Sequence, residues 1–188
     1  ESSAPEFTNQ SPIPFTALFS APVSGFDAAD IRVSNGEVMG FSGAGDWYSF
    51  SIRPARQGAV IVQVLAAAAQ DAGNNQNDEA SPITRYYDTV PPVITLLGSD
   101  EVVIECGVLY QDDGVSAVDA LEGSLDDRVV VSGDFRTFGL PGIYVISFDV
   151  SDSAGNHAEQ VTRLIVVEDT IAPELTLIGG DVTIECGA

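Results

Sequence analysis

The chain has 188 residues and a formal net charge of −21, from 28 acidic and 7 basic residues. Lysine is absent, which excludes Schiff-base chemistry on a lysine, a phosphate-loop lysine and a lysine–asparagine isopeptide crosslink. A single histidine excludes a multi-histidine zinc site within the chain. The charge argues against nucleic-acid binding, which requires cationic groups opposite the phosphates, and against docking on anionic lipid.

An acidic, lysine-free surface instead suits high salt or a hard cation such as calcium. The apolar content of 45% is ordinary for a globular protein, so the charge does not indicate disorder. The longest mostly apolar stretch, 58–69, is shorter than the ~20 residues of a membrane-spanning helix, so we expect no membrane insertion. The chain starts at Glu1, without methionine or a signal peptide, and we expect it to be a piece of a longer protein.

Short apolar runs and alternating patterns predict strands along the whole chain. In the first half they lie at 13–19, 31–34, 47–52 and 59–65, and a last strand runs up to Tyr87 after a D-A-G-N-N turn at 71–75. In the second half they lie at 93–97, 102–110, 129–131, 144–150 and 161–167, with a D-S-A-G-N turn at 152–156. No amphipathic helix is predicted, so the fold class is all-β.

An internal repeat divides the chain. Residues 88–107 (DTVPPVITLLGSDEVVIECG) match residues 169–187 (DTIAPELTLIGGDVTIECG) at an offset of about 80 residues. This spacing is the size of a small sandwich domain and exceeds one solenoid repeat. We therefore expect three units, called unit 1 (1–87), unit 2 (88–168) and unit 3 (169–188), the last being the first strands of a truncated repeat.

Unit 2 resembles the bacterial immunoglobulin-like repeats of large surface proteins, related to hyalin repeats. The matching features are D-T-x-x-P at 88–92, Tyr110 with D-D-G-V at 112–115, A-V-D at 117–119, E-G at 122–123, P-G-I-Y at 141–144 and the 152–156 turn. Residues 11–87 resemble a second bacterial Ig-like family, through F-S-A-P-V-S-G-F at 19–26 and D-I-R-V-S-N-G at 30–36. The resemblance implies tandem Ig-like β-sandwiches arranged end to end in an extracellular, secreted or cell-surface protein. Many such repeats are stiffened by calcium at domain junctions.

A sandwich in which the first strand lies beside the last, and the second strand is antiparallel to the first, brings several loops to the junction between units 1 and 2. Calcium takes ~6–8 oxygen ligands, and aspartates packed together without a cation would repel. We therefore expect a junction calcium site, with Asp169 starting an equivalent site towards unit 3. The candidate ligands are Asp88, Asp112, Asp113, Asp152, Asn156 and Asp169. The alternative is that these residues only cap turns through local backbone contacts.

Unit 1 offers a weaker set of acidic and amide side chains towards whatever precedes it. These residues are Asp27, Asp30, Asp71, Asn74 and Asp78. Its turn places Asn74 three residues after Asp71, whereas Asn156 lies four residues after Asp152, so the transfer of site residues between units is in doubt.

The remaining reactive or aromatic side chains favour structural roles. Relatives with a second cysteine place it where Leu121 stands, so Cys106 is expected to be a buried free thiol. A Cys106–Cys186 disulfide is not expected, since equivalent positions in end-to-end domains lie tens of ångströms apart. His157 has no serine or cysteine partner nearby in sequence and is expected at the surface. Of Trp47, Tyr48 and Phe50, at least two are expected in the core, because neighbouring strand residues face opposite sides.

These observations favour a non-catalytic extender or adhesion region of a bacterial surface or secreted protein, with calcium-rigidified junctions. Its expected partners are the neighbouring repeats of the same parent chain and a host-surface or matrix glycan or protein. The alternative is a carbohydrate-binding or accessory module of a secreted polysaccharide-degrading enzyme. Direct catalysis is disfavoured, because no nucleophile, base and orienting group can be identified together.

Overall fold

The computed structural model describes residues 1–133, 139–176 and 179. Within them the regular structure is strands and two short 3-10 helices, at Ala28–Asp30 and Asp126–Arg128. The all-β prediction is confirmed. No helix among the described residues is long and apolar enough to cross a membrane. Residues 177–178 and 180–188 of unit 3, with Cys186 among them, lie outside the described residues.

Unit 1 is built from six strands in two sheets. They are β1 (Phe7–Thr8), β2 (Ile13–Val23), β3 (Ile31–Ser34), β4 (Gly36–Pro54), β5 (Gly58–Val64) and β6 (Ile83–Tyr87). One sheet has the order β1-β6-β5-β3, with β1 parallel to β6, and the other pairs β2 with β4. The long β4 doubles back, which places Ser42 beside Ser49 and Glu37 beside Arg53.

The described residues of unit 2 form seven strands in two sheets. They are β7 (Val93–Leu96), β8 (Glu101–Glu105), β9 (Val115–Asp119), β10 (Gly123–Ser124), β11 (Val130–Gly133), β12 (Gly142–Asp149) and β13 (Val161–Glu168). The sheet orders are β10-β9-β7 and β11-β12-β13-β8. Alternate residues of β12 and β13 point inwards, as their apolar alternation predicts, and Ile146, Phe148, Ile165 and Val167 are buried.

Each unit has its own hydrophobic core. One cluster of buried residues spans 4–69 and contains Phe15, Phe50 and Ile52, and the other spans 94–167. Two separate cores among the described residues agree with two sandwiches in tandem. The exact domain boundaries stay a prediction.

The first strand of unit 2 is divided between both sheets. β7 pairs antiparallel with β9, and after Gly98 and Ser99 the chain crosses to the other sheet, where β8 runs parallel to β13. Arg163 on β13 is fully buried and holds this crossing, since its guanidinium donates to the carbonyl oxygens of Leu97 and Ser99. The strand predicted at 102–110 therefore ends at Glu105. It runs in the same direction as β7, so the prediction that the second strand is antiparallel to the first was wrong.

Candidate metal centre

Three buried aspartates converge at the start of unit 2. Asp88 lies on the link after β6, Asp119 ends β9, and Asp152 follows β12. Their exposed fractions are 1%, 2% and 4%, and one carboxylate oxygen from each lies within 4.8 Å of the others. We call these residues the aspartate cluster.

Two members of the aspartate cluster have one satisfied and one unsatisfied oxygen. Asp88 Oδ1 accepts from the Val90 N–H at 3.0 Å, and Asp119 Oδ1 accepts from the N–H groups of Leu121 and Glu122 at 2.7 and 2.9 Å. The Oδ2 atoms of Asp88 and Asp119 are buried and have no hydrogen-bond partner among the described residues. Because an unpaired buried acceptor is costly, these two atoms mark a place that favours a cation.

The third carboxylate is held in place by an amide side chain. Asp152 accepts from the N–H and the Nδ2 of Asn156, both at 2.7 Å. Asn156 Nδ2 also donates to the Asp88 carbonyl at 3.1 Å, and Asn156 Oδ1 accepts from Asn9 of unit 1 at 3.4 Å. Asn156 thus joins the turn to the link and to the preceding unit.

The electrostatics of the cluster are unfavourable without a cation. Burial raises the pKa of the Asp88 carboxyl, and the charges of Asp119 and Asp152 raise the same pKa further, whereas the Val90 N–H and the Gln57 side chain lower it. The ion pairs among the described residues are Arg53–Glu37, Arg128–Glu122 and Arg163–Asp112. None of them neutralises the aspartate cluster.

The sequence placed two further aspartates at this junction, and the structure separates both from it. Asp112 forms an ion pair with buried Arg163 at 2.5 Å and accepts from the Tyr110 hydroxyl at 3.0 Å. Asp113 lies against Gly98, beyond the opposite end of β7. The prediction failed because β8 runs away from the junction, so the residues after it begin β9 at the far end of β7.

Asp119 occupies the place predicted for those two residues. It ends β9, whose Val118 pairs with Val93 at the start of β7, so Asp119 returns to the junction. The signal in the sequence was the A-V-D motif at 117–119, which ends β9, although no strand was predicted there.

Asp169 follows β13 and is exposed. The neighbouring Thr170 donates its N–H and hydroxyl to the Glu105 carboxylate, both at 2.8 Å. The rest of any site involving Asp169 falls in unit 3, whose last residues lie outside the described part of the chain, so a second site stays a prediction.

Unit 1 repeats the turn but not the cluster. Asp71 accepts from the N–H and Nδ2 of Asn75, at 2.9 Å and 2.9 Å, as Asp152 does from Asn156. The amide partner is therefore Asn75, and the apparent change of register that Asn74 indicated does not exist. Asn74 has φ 62° and Gly155 has φ 89°, so each supplies the left-handed residue of its turn. Among described residues, no other carboxylates join Asp71 in a comparable group.

The other candidate residues have structural surroundings. Tyr48 and Phe50 are buried while Trp47 is half-exposed, as the strand alternation predicted. His157 is exposed, as expected, but its Nδ1 lies 2.7 Å from the hydroxyl of Ser151, six residues earlier, so the expectation that no serine partner lies nearby in sequence was wrong. Cys106 is a free thiol, as expected, but it is only partly buried, and it donates to the Gly139 carbonyl at 3.2 Å.

Several solved structures are similar to this chain, and three of them show how low the similarity is. A lipoprotein from Bacteroides thetaiotaomicron is 22% identical with a TM-score of 0.39, over 44% of this chain and 40% of that one. The M60 catalytic domain with two CBM51 domains of Clostridium perfringens ZmpB is 19% identical with a TM-score of 0.36, over 85% and 18%. Fibronectin(III)-like modules of Clostridium thermocellum CbhA are 14% identical with a TM-score of 0.38, over 95% and 99%. The match thus spans less than half of the first two proteins.

No curated protein sequence matches the chain. The model of the family described as "Bacterial surface protein, Ig-like domain" matches residues 94–167. This range runs from the second residue of β7 to the next-to-last residue of β13, and so includes both sheets of unit 2. Unit 2 of this chain is therefore similar to the Ig-like domains of bacterial surface proteins.

Proposed function

We propose that the chain is a non-catalytic extender or adhesion segment of a bacterial cell-surface or secreted protein, and that Ca²⁺ bound by the aspartate cluster stiffens the junction between units 1 and 2. The match of residues 94–167 to the model of bacterial surface Ig-like domains supports the surface location. The observation that carries the calcium proposal is the pair of buried, unpartnered Oδ2 atoms of Asp88 and Asp119 beside Asp152.

The donor set fits a hard divalent cation. Calcium prefers carboxylate and carbonyl oxygens and accepts an irregular arrangement, whereas zinc prefers nitrogen and sulfur donors in a tetrahedron. Asp88, Asp119 and Asp152 would supply three negative charges to one dication, which relieves their mutual repulsion. Water and backbone carbonyls would complete the coordination, as is common for calcium.

The position of the cluster connects metal binding to the geometry of the junction. Asp88 directly follows the last strand of unit 1, and its N–H donates to the Thr8 carbonyl at 2.9 Å. Asn156 holds the Asp152 carboxylate and also contacts Asn9. A cation that fixes Asp88 and Asp152 would therefore fix the contacts through which unit 2 holds unit 1.

The proposal is tested by titrating calcium into the complete chain after treatment with a chelator. Calorimetry should detect one tight site, and small-angle scattering should show a longer maximum dimension with calcium than with chelator. At a calcium concentration of 100 Kd, ligand linkage stabilises the folded state by about 2.7 kcal/mol.

The two equivalent turns supply a matched pair of variants. Asp152→Asn removes one charge from the aspartate cluster and should abolish the calcium response. Asp71→Asn changes the same turn in unit 1, where no cluster is present, and should leave the response intact. If chelator and calcium give the same melting temperature and the same scattering curve for the unsubstituted chain, the proposal is wrong.

A second candidate function rests on Trp47. Its side chain is 50% exposed on the outer face of the β2–β4 sheet, opposite Leu18, which is 69% exposed. The hydroxyls of Ser42 and Ser49 lie 3.0 Å apart in the neighbouring part of β4. An exposed indole beside hydroxyl groups suits stacking on a sugar ring. Glycan-array binding that is lost in Trp47→Ala and kept in Leu18→Ala would support a carbohydrate-binding module, and no binding by the unsubstituted chain would refute it.

A further inference from the structure

The solvent face of the four-stranded sheet in unit 2 carries a continuous apolar surface. The strand register places Ile143, Val166 and Val103 side by side in one row, and Val145 beside Leu164 in the next. Ile143 is 71% exposed and Val103 56% exposed. Large contiguous apolar patches are rare on monomeric proteins and commonly mark interaction sites. We call these five residues the sheet patch.

One side of the sheet patch is an open strand edge. β8 is the last strand of its sheet and pairs only with β13 among the described strands. The Asp100 carbonyl accepts from Leu164 and the Cys106 N–H donates to Glu168, so even-numbered residues turn their backbone groups towards β13. The main-chain groups of Val103 therefore point outwards, where an added strand can pair with them.

The same edge carries a regular pattern of charge. Glu101, Val103 and Glu105 alternate on the solvent face of β8, and Glu168 lies beside Glu105. The inward residues between them, Val102 and Ile104, pack partly against the core. On the solvent face, a strand added to this edge would thus lie beside Glu101, Val103 and Glu105 in succession. On the core side it would lie beside Val102 and Ile104.

We propose that the β8 edge binds an extended segment of a different protein, with the pattern cationic–apolar–apolar–apolar–cationic. One cationic side chain would lie beside the exposed Glu101, and the other beside Glu105, whose negative charge remains although its carboxylate also accepts two hydrogen bonds from Thr170. The central apolar side chain would extend the sheet patch beside Val103. Cross-strand pairs of opposite charge and of apolar residues both stabilise a sheet.

A second copy of this chain does not fit the edge. The chain has no lysine and a net charge of −21, so self-association along this edge would bring carboxylates together. The complementary partner is instead a protein segment rich in lysine or arginine. This inference does not depend on the aspartate cluster or on calcium.

Binding is tested with two blocked synthetic peptides, Gly-Ser-Lys-Val-Ile-Val-Lys-Ser-Gly and its twin with glutamate in place of both lysines. Isotope-labelled chain should show chemical-shift changes for the lysine peptide along β8 and the sheet patch, together with slower amide exchange at Val103. The lysine peptide should bind at least fivefold more tightly than its twin, because one exposed ion pair contributes up to about fivefold and the twin loses two such pairs.

The position of the charges is tested by Glu101→Lys, which should weaken the lysine peptide about fivefold. The matched control is Glu6→Lys, because Glu6 is exposed and precedes β1, the strand that pairs parallel with β6 as β8 does with β13. It should leave binding unchanged. A peptide with one lysine replaced by glutamate should regain binding to Glu101→Lys, and the end that works gives the strand direction.

Equal binding of both peptides, equal loss in both variants, or shifts away from β8 would overturn the proposal. In that case Glu101 and Glu105 would only protect the edge from pairing, a common use of charge on edge strands.

Discussion

Replacing Asp119 by asparagine distinguishes between two roles of this residue, that of a metal ligand and that of a turn cap only. The substitution keeps Oδ1, which accepts from the N–H groups of Leu121 and Glu122, and converts the buried, unpartnered Oδ2 into an amide. The size of the side chain is unchanged, so the core is not disturbed. Only the charge and the unsatisfied acceptor are removed.

The expected effect of Asp119→Asn on the stability of the folded chain changes sign when calcium is added. Two carboxylates about 5 Å apart repel by about 3 kcal/mol at an effective dielectric constant of about 20, and partial protonation and solvent reduce this value. In chelator, Asp119→Asn should therefore stabilise the chain by about 1–2 kcal/mol. In saturating calcium the variant should be less stable than the unsubstituted chain, because it loses the linkage energy of the bound cation.

Thermal and urea unfolding measure the change in stability caused by the substitution. Each is carried out once with chelator and once with excess calcium. The unfolding of the two units should be followed separately, with Trp47 reporting on unit 1 and NMR signals of Ile146 and Phe148 on unit 2. If Asp119→Asn destabilises the chain equally in both conditions, Asp119 is a turn cap only and the metal reasoning is refuted.

Four further predictions concern single groups. Asp112→Ala should destabilise unit 2 by about 3–5 kcal/mol in urea unfolding, because it leaves the buried Arg163 guanidinium without its carboxylate; an effect below about 1 kcal/mol would contradict this. Gly98→Ala should cost about 1–3 kcal/mol, since φ is +78° and a Cβ would meet the Asp113 carboxylate; Gly107→Ala, at φ +82° in open space, is the control and should cost less. In chelator, the stability contributed by the raised pKa of Asp88 should be complete below about pH 3.8 and fall as the pH rises through the folded-state pKa, and a rise of stability over that window would contradict it. Asp71→Asn should weaken unit 1 with and without calcium alike, because its carboxylate holds three local donors and no neighbouring charge; a calcium-dependent effect would place a second metal site there.

The positions of most strands could be predicted from alternation and turn residues alone. The strands 31–34, 93–96 and 161–168 lie where the apolar patterns placed them, because one face of each is buried and a side chain alternates sides at every residue. The strand at 115–119 was missed since Ser116 and the short length dilute its pattern. The Asp152–Asn156 turn was recognisable because the spacing of donors and acceptors within a turn is local.

The candidate site divides in the same way. The sequence by itself determined that Asp88 and Asp152 meet, because the residue before the first strand and the turn before the last strand lie at the same end of a sandwich. Only the tertiary structure decided the third member. The buried Arg163 directs the chain from one sheet to the other between β7 and β8, which carries Asp112 away to pair with that arginine and leaves Asp119 at the junction. Local sequence patterns specify where a strand lies. Which strand it pairs with is decided here by the Arg163 guanidinium buried between the two sheets. That pairing leaves no pattern in the residues of either strand.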